Sequence, residues 1–145
     1  MAIVPITRID PSIPLPAYQT AGAAGFDLTI RADATIAPGA TMLVPANIII
    51  AIPSGHVLLL AARSSLWKRG LVLANGVGIV DEDYRGPNDE IGLLLRNVSD
   101  APVTVQRGDR LAQALLMPVA RAEWTEREQA DIIDQNRGGF GSTGS

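Results

Sequence analysis

No stretch of this chain between Ala2 and Val119 runs far before a turn signal stops it. Pro11, Pro14 and Pro16 break up Asp10–Tyr18, and Thr20–Gly25 (TAGAAG) is small and flexible. Pro38-Gly39, Ser54-Gly55, Asn75-Gly76, Ser99–Ala101 and Arg107–Arg110 follow, built from residues that preset or tolerate the backbone angles of a reversal. The segments between them are short, aliphatic and β-branched: Phe26–Ile30, which alternates apolar and polar, then Thr41–Ile52, His56–Ala62, Leu71–Ala74, Glu90–Asn97, Pro102–Gln106 and Leu111–Val119. Ala2–Arg8 contains Pro5 and suits an edge strand. Only Arg63–Gly70 changes character, with Ser64 or Ser65 to cap a short helix, Lys68 and Arg69 in its last turn and Gly70 to end it. This punctuation predicts an all-β fold, a small jelly-roll-like β-barrel with at most one short helix. At 145 residues one domain with a real core is expected.

Composition narrows the function. With no cysteine and one histidine, neither a zinc site nor a Ser-His-Asp triad can be assembled. No apolar run approaches the roughly 18 residues of a membrane span, and no basic and apolar leader precedes the first strand. A net charge of −3 gives no general attraction to nucleic acid or membrane, so a polyanion must meet a local cluster of cations. These features fit a cytoplasmic protein, in which the Asn97-Val98-Ser99 sequon is idle.

Asn75–Gly86 (NGVGIVDEDYRG) joins a turn pair to a short β-branched strand and an acidic cluster. Asn-Gly between apolar runs predicts a type I′ hairpin, and alternation along the returning strand sets Asp81 and Asp83 on one face and Glu82 on the other. An aspartate at a strand end beside such a turn suits a general base; an acidic loop that solvates a hairpin fits the same twelve residues. Ala62-Arg63-Ser64-Ser65 opens the short helix, where a guanidinium, two hydroxyls and free amides favour an anion, although taken in isolation the stretch reads better as a capped helix with a surface arginine. Asp27 interrupts an apolar strand, either facing water or orienting a magnesium-bound water. Gln113 stands on an apolar strand, where an inward polar group needs a reason. His56 has no partner at ligand spacing and reads as structural.

Residues 1–135 are expected to form the barrel. Residues 136–145 (NRGGFGSTGS) would form a flexible arm, because glycine loses most on ordering and Phe140 is the one large apolar side chain there. Extended, such an arm spans roughly 33 Å, enough to reach a neighbouring subunit.

In their order along the chain, AGAAGFDL, ARSSLWKRG, NGVGIVDEDYRG, RGDRLAQ and RGGFGSTG resemble the five motifs of the trimeric deoxyuridine triphosphatase family, from about Ala21 to Gly144. The resemblance implies a homotrimer with sites between subunits and magnesium-assisted hydrolysis of dUTP to dUMP and pyrophosphate. Carried over, Asp81 would hold the attacking water, and Tyr84 would pack on the deoxyribose and exclude a 2′-hydroxyl. The turn with Asn75 and Gly78 would read uracil, and Arg63, Ser64, Ser65 and Gln113 would contact phosphates. Asp27 would act on Mg2+ through water, and Phe140 would stack over uracil, with Arg137, Gly141, Ser142 and Thr143 on the terminal phosphates. Two features depart from the family pattern. Arg137 stands three residues before Phe140 instead of five, and Pro87-Asn88-Asp89 reads as an insertion.

The dCTP deaminase branch of the same fold is the nearest rival, but its catalytic glutamate would fall at Leu94. A non-catalytic nucleotide- or protein-binding barrel is the other alternative, set against Asp81, Tyr84 and Phe140 occurring together.

Overall fold

The computed structural model describes residues 1–141. Eleven short strands carry the fold: β1 (Ile6–Arg8), β2 (Phe26–Thr29), β3 (Ala34–Ile36), β4 (Thr41–Pro45), β5 (Ile48–Ile50) and β6 (His56–Ala62), then β7 (Leu71–Leu73), β8 (Gly78–Val80), β9 (Gly92–Asn97), β10 (Val103–Val105) and β11 (Arg110–Pro118). They form a sheet in the order β2-β11-β6-β8, a second in the order β4-β9-β7, and two pairs, β1-β5 and β3-β10. Every ladder is antiparallel, as expected of short strands joined by tight turns. The result is the all-β, jelly-roll-like architecture that the spacing of turns predicts.

The core is almost wholly aliphatic. Leu58 and Leu60 of β6, Leu28 of β2 and Ala112 and Ala114 of β11 meet Leu93 and Leu95 of β9, Leu71 of β7 and Val44 of β4. Fully burying one such leucine is worth about 1.5–3 kcal/mol. Two buried polar side chains are satisfied. Asn97 donates from Nδ2 to Ile36 O (2.9 Å) and Ala101 O (2.7 Å), so the sequon amide is consumed by the fold. Asn47 accepts Asp10 N–H on Oδ1 (2.7 Å) and donates from Nδ2 to Asp10 O (3.1 Å).

Three local expectations are overturned. The run Thr41–Ile52 is two strands, because Asn47 takes a left-handed φ of 71° that turns the chain from partner β9 to partner β1. Asn75-Gly76 is not a type I′ hairpin. That turn needs positive φ at both residues; Gly76 has it (70°), and Asn75 is not among the non-glycine residues with positive φ. The turn instead passes the chain between sheets: β7 pairs with β9, and β8 pairs with β6. Gly78 makes the second pairing feasible, since a Cβ there would sit 2.9 Å from Leu60 Cβ. Finally, β8 stops at Val80, so Asp81–Asp83 lie on a turn closed by Tyr84 N–H to Asp81 O (3.2 Å), and strand alternation does not sort them onto faces.

Candidate active site

The outward face of the β2-β11-β6-β8 sheet sets out its residues in rows. Cross-strand register aligns Asp27 with Gln113 and Ala61, then Leu115 with Leu59 and Ile79, then Met117 with Val57. The first row is polar and the next two are apolar, with Ile79 67% exposed. Gln113 therefore points outward, not into the core, and its Nε2 donates to Ala62 O (3.1 Å).

Asp27 is the hub of the polar row. Its carboxylate, only 12% exposed, takes Arg63 Nε on Oδ1 (3.0 Å) and Arg110 Nη1 on Oδ2 (3.0 Å). Arg63 Nη1 also donates to Arg110 O (3.1 Å), which leaves the fork's second amine, Nη2, for a further acceptor. Arg110 was not foreseen as a site residue. It lies three positions before Gln113, so alternation sends the two to opposite faces. A β-bulge between Arg110 and Ala112 inserts one residue and restores the phase, with Leu111 and Ala112 both buried. Nothing in the sequence beyond the arginine's place in Gly-Asp-Arg signals this.

The Arg63–Gly70 segment is a single 3₁₀ turn, Leu66–Arg69, ended by a left-handed Gly70 (φ 74°). Ser65 occupies its cap position without a side-chain capping bond, and Ser64 and Ser65 are exposed. Four residues develop little dipole, and the amides of Leu66 and Lys68 already bond to Arg63 O and Ser65 O. Anion affinity here rests on the guanidinium and the hydroxyls, not on a helix terminus.

Asn75, Gly78, Asp81 and Tyr84 share one groove of about 240 Å³, which Glu90 and Gly92 also line. Asp27, Arg63, Gln113 and the two serines do not line it. Tyr84 Oη donates to Glu90 O (3.1 Å). Pro87–Asp89 forms a self-contained turn, with Asp89 N–H on Gly86 O (3.0 Å) and Gly86 N–H on Asp89 Oδ2 (2.7 Å). Glu82 is spent on structure, accepting Gly55 N–H (3.0 Å).

The register measures how far the two groups lie apart within one chain. Val80 pairs with Leu58, so Asp81 continues past that point, whereas Arg63 lies five residues beyond Leu58 in the other direction. At about 3.3 Å per residue this is roughly 17 Å or more. One chain does not bring Asp81 to Arg63.

After β11 the chain leaves the barrel. Val119–Gly141 are all exposed, including Trp124, Ile133 and Phe140, and the segment holds one short 3₁₀ turn, Gln129–Asp131, but no strand. Arg137 and Gly141 lie on it; Ser142 and Thr143 lie outside the described residues. A larger groove of about 410 Å³, lined by Val4, Ile6, Leu15, Tyr18, Phe26 and Leu116, has no charged side chain in its lining. Leu94 pairs with Leu43 in the β4–β9 ladder and supplies no acid. Among the described residues no cluster of three acidic, histidine or cysteine side chains forms a metal cage, and no helix is long and apolar enough to cross a membrane.

The dUTPase family model matches residues 11–144. A deoxyuridine 5'-triphosphate nucleotidohydrolase of Shewanella oneidensis is 45% identical over 143 residues, covering 96% of this chain and 92% of the relative. A crystal structure of dUTPase from Streptococcus mutans superposes with a TM-score of 0.75 at 35% identity, covering 82% of this chain and 98% of that one. The dUTPase of Staphylococcus bacteriophage 80alpha with dUPNHPP shares the fold across the full length of both chains, with a TM-score of 0.87 at 20% identity.

Proposed function

The chain belongs to the dUTPase family and is a dUTP nucleotidohydrolase, and from that premise we propose that it works as a trimer whose sites join Asp81 of one subunit to Arg63 of another. The observation that carries this is the separation along β6. The nucleoside groove and the phosphate-binding row lie at opposite ends of one sheet, so neither half is a complete site. The apolar rows of Leu115, Leu59, Ile79, Met117 and Val57 between them suit burial against another subunit, which would bring complementary halves together.

In this reading Asn75 and Gly78 contact uracil, and the Tyr84 ring fills the space a 2′-hydroxyl would need. The exposed Asp81 carboxylate holds and deprotonates the water that attacks the α-phosphorus. Arg63, Ser64, Ser65 and Gln113 take the phosphates. Arg63 keeps its grip on Asp27 through Nε while Nη2 turns to the substrate, so its guanidinium is oriented before the substrate arrives. Residues 136–145 serve as an arm closing over a site, with Phe140 over the base and Arg137, Gly141, Ser142 and Thr143 at the phosphate end. A magnesium ion fits as a companion of the triphosphate, not as a resident: one carboxylate, Asp27, stands where the phosphates would lie, and magnesium favours few protein ligands and retained waters. Bound with the nucleotide, it supplies charge neutralisation at the phosphates.

Subunit complementation tests the arrangement. Arg63→Ala and Asp81→Asn chains, each inactive alone, regain activity when unfolded and refolded together, with about a quarter of sites intact by random mixing. A mixture as inactive as its parts overturns the shared site.

A further inference from the structure

Tyr84 sits on a turn whose backbone bonds are all local. Tyr84 N–H reaches Asp81 O (3.2 Å) and Arg85 N–H reaches Asp83 O (3.0 Å), and ahead of them the chain loops out through Pro87–Asp89 before rejoining a strand. What fixes the far end of the ring is the bond from Tyr84 Oη to the backbone carbonyl of Glu90, which spans that loop. The Glu90 carbonyl is itself immobilised. The side chain of Glu90, 17% exposed, takes both prongs of Arg31, Nε on Oε1 (2.7 Å) and Nη2 on Oε2 (2.8 Å). Its Oε1 also accepts Asn47 N–H (2.9 Å), at the left-handed residue that separates β4 from β5. The next residue, Ile91, is bonded in both directions, donating to Ile48 O and accepting from Ala46 N–H. The Glu90 carboxylate in turn raises the Arg31 guanidinium above its ordinary affinity for a proton. A planar fork matched to a carboxylate fixes orientation as well as distance, which a lysine in its place would not do.

We propose that Arg31 and Glu90 are positioning residues that set the Tyr84 ring through the Glu90 carbonyl, and so set the discrimination between a deoxyribose and a ribose. The inference rests on the reading of Tyr84 as the sugar gate. A ring that touches the sugar excludes one oxygen atom only if it does not yield, and an exposed ring on a looped-out turn yields unless its far end is tied. Neither Arg31 nor Glu90 needs to contact the reacting atoms for this to hold.

Steady-state kcat/KM for dUTP and for UTP, with thermal midpoints on the same full-length preparations, tests it. Arg31→Met, Glu90→Ala and Tyr84→Phe, which removes only the hydroxyl, should each reduce the preference for dUTP over UTP about five- to tenfold, mainly by admitting UTP. Glu90→Gln, which keeps the acceptor for Asn47 but loses the charge, should fall between Glu90→Ala and the parent. Tyr84→Phe combined with Arg31→Met should do no more than either alone, because both cut the same link. An unchanged preference in Tyr84→Phe and Glu90→Gln, or a lower midpoint with unchanged preference in Arg31→Met, overturns the proposal. Tyr84→Ala separates the two layers: if it too leaves the preference intact, the sugar-gate reading fails. If it alone abolishes the preference, the gate stands and the strut falls. Should Arg31→Met or Glu90→Ala not fold, Tyr84→Phe and Glu90→Gln decide, since each changes a single hydrogen-bonding group.

Discussion

Around Asp27 two of the groups assigned to phosphate are already tied down: Arg63 shares the carboxylate with Arg110, and Gln113 donates to a strand carbonyl. Around Asp81 the groups assigned to the nucleoside are placed by backbone turns and a strut, and the Asp81 carboxylate is left exposed, with no protein partner among the described residues. The contrast follows from the work proposed for each half. Cations that meet a triphosphate must be aligned without repelling one another, which a shared carboxylate achieves at moderate cost. A base that activates water must instead keep water beside it.

The largest expected effect is at the exposed half. Asp81→Asn should lower kcat by about a thousandfold or more, as expected for removal of a positioned base, while the dissociation constant for a non-hydrolysable dUTP analogue changes little. Weakened binding of similar size would make Asp81 a binding group and erase the contrast. At the paired half, Asp27→Asn should lower kcat/KM for dUTP about tenfold, since the amide keeps one acceptor oxygen for two arginines and no charge, and should raise the magnesium concentration needed for half-maximal rate. Tighter substrate binding in that variant would show that Asp27 competes with phosphate instead of orienting Arg63.

The smallest effect concerns the frame behind both halves. Asp10 bonds Arg107, which precedes Arg110 in the Gly-Asp-Arg turn, and its backbone holds Asn47, which braces Glu90. The Ser12 hydroxyl, then Arg107 and the Ser12 amide, lower the Asp10 pKa from 3.8 to about 2. A depressed carboxylate contributes stability that is complete above its ordinary value and is lost as pH falls towards the folded one. Between about pH 4 and pH 2, Asp10→Asn should therefore show a shallower fall in thermal midpoint than the parent, with kcat/KM at neutral pH unchanged. Parallel slopes would mean the bonds to Asp10 do not persist in solution.

The groups assigned to the candidate site stand out in residue order alone. A guanidinium beside two hydroxyls, a carboxylate after a short strand with a tyrosine three residues on, and a glycine-rich arm with one ring are all sequence features, as are the turn residues that divide the strands. What was not legible concerns phase and partner. Asn75-Gly76 carries the residues of a hairpin turn, yet β7 and β8 bond to different sheets, because a turn pair records what the backbone tolerates and not which edge the next strand will find. Arg110 joins Asp27 because a bulge buries Leu111 and Ala112 together, a choice made by the core and invisible in alternation. Tyr84 is steadied by Arg31, 53 positions away in the chain, through a carbonyl that could have belonged to any residue type.

The sequence by itself determined the inventory: short strands, the placement of turns, the lack of any thiol, and the motif order that identifies the family. Tertiary structure alone decided that the inventory is divided between two ends of one sheet, with Asp81 and Arg63 far apart in a single chain. The physical reason is range. Dihedral preferences act over two or three residues, whereas strand partner, register and the facing of each side chain are settled by which apolar surfaces can be buried together, and that balance is struck across the whole chain.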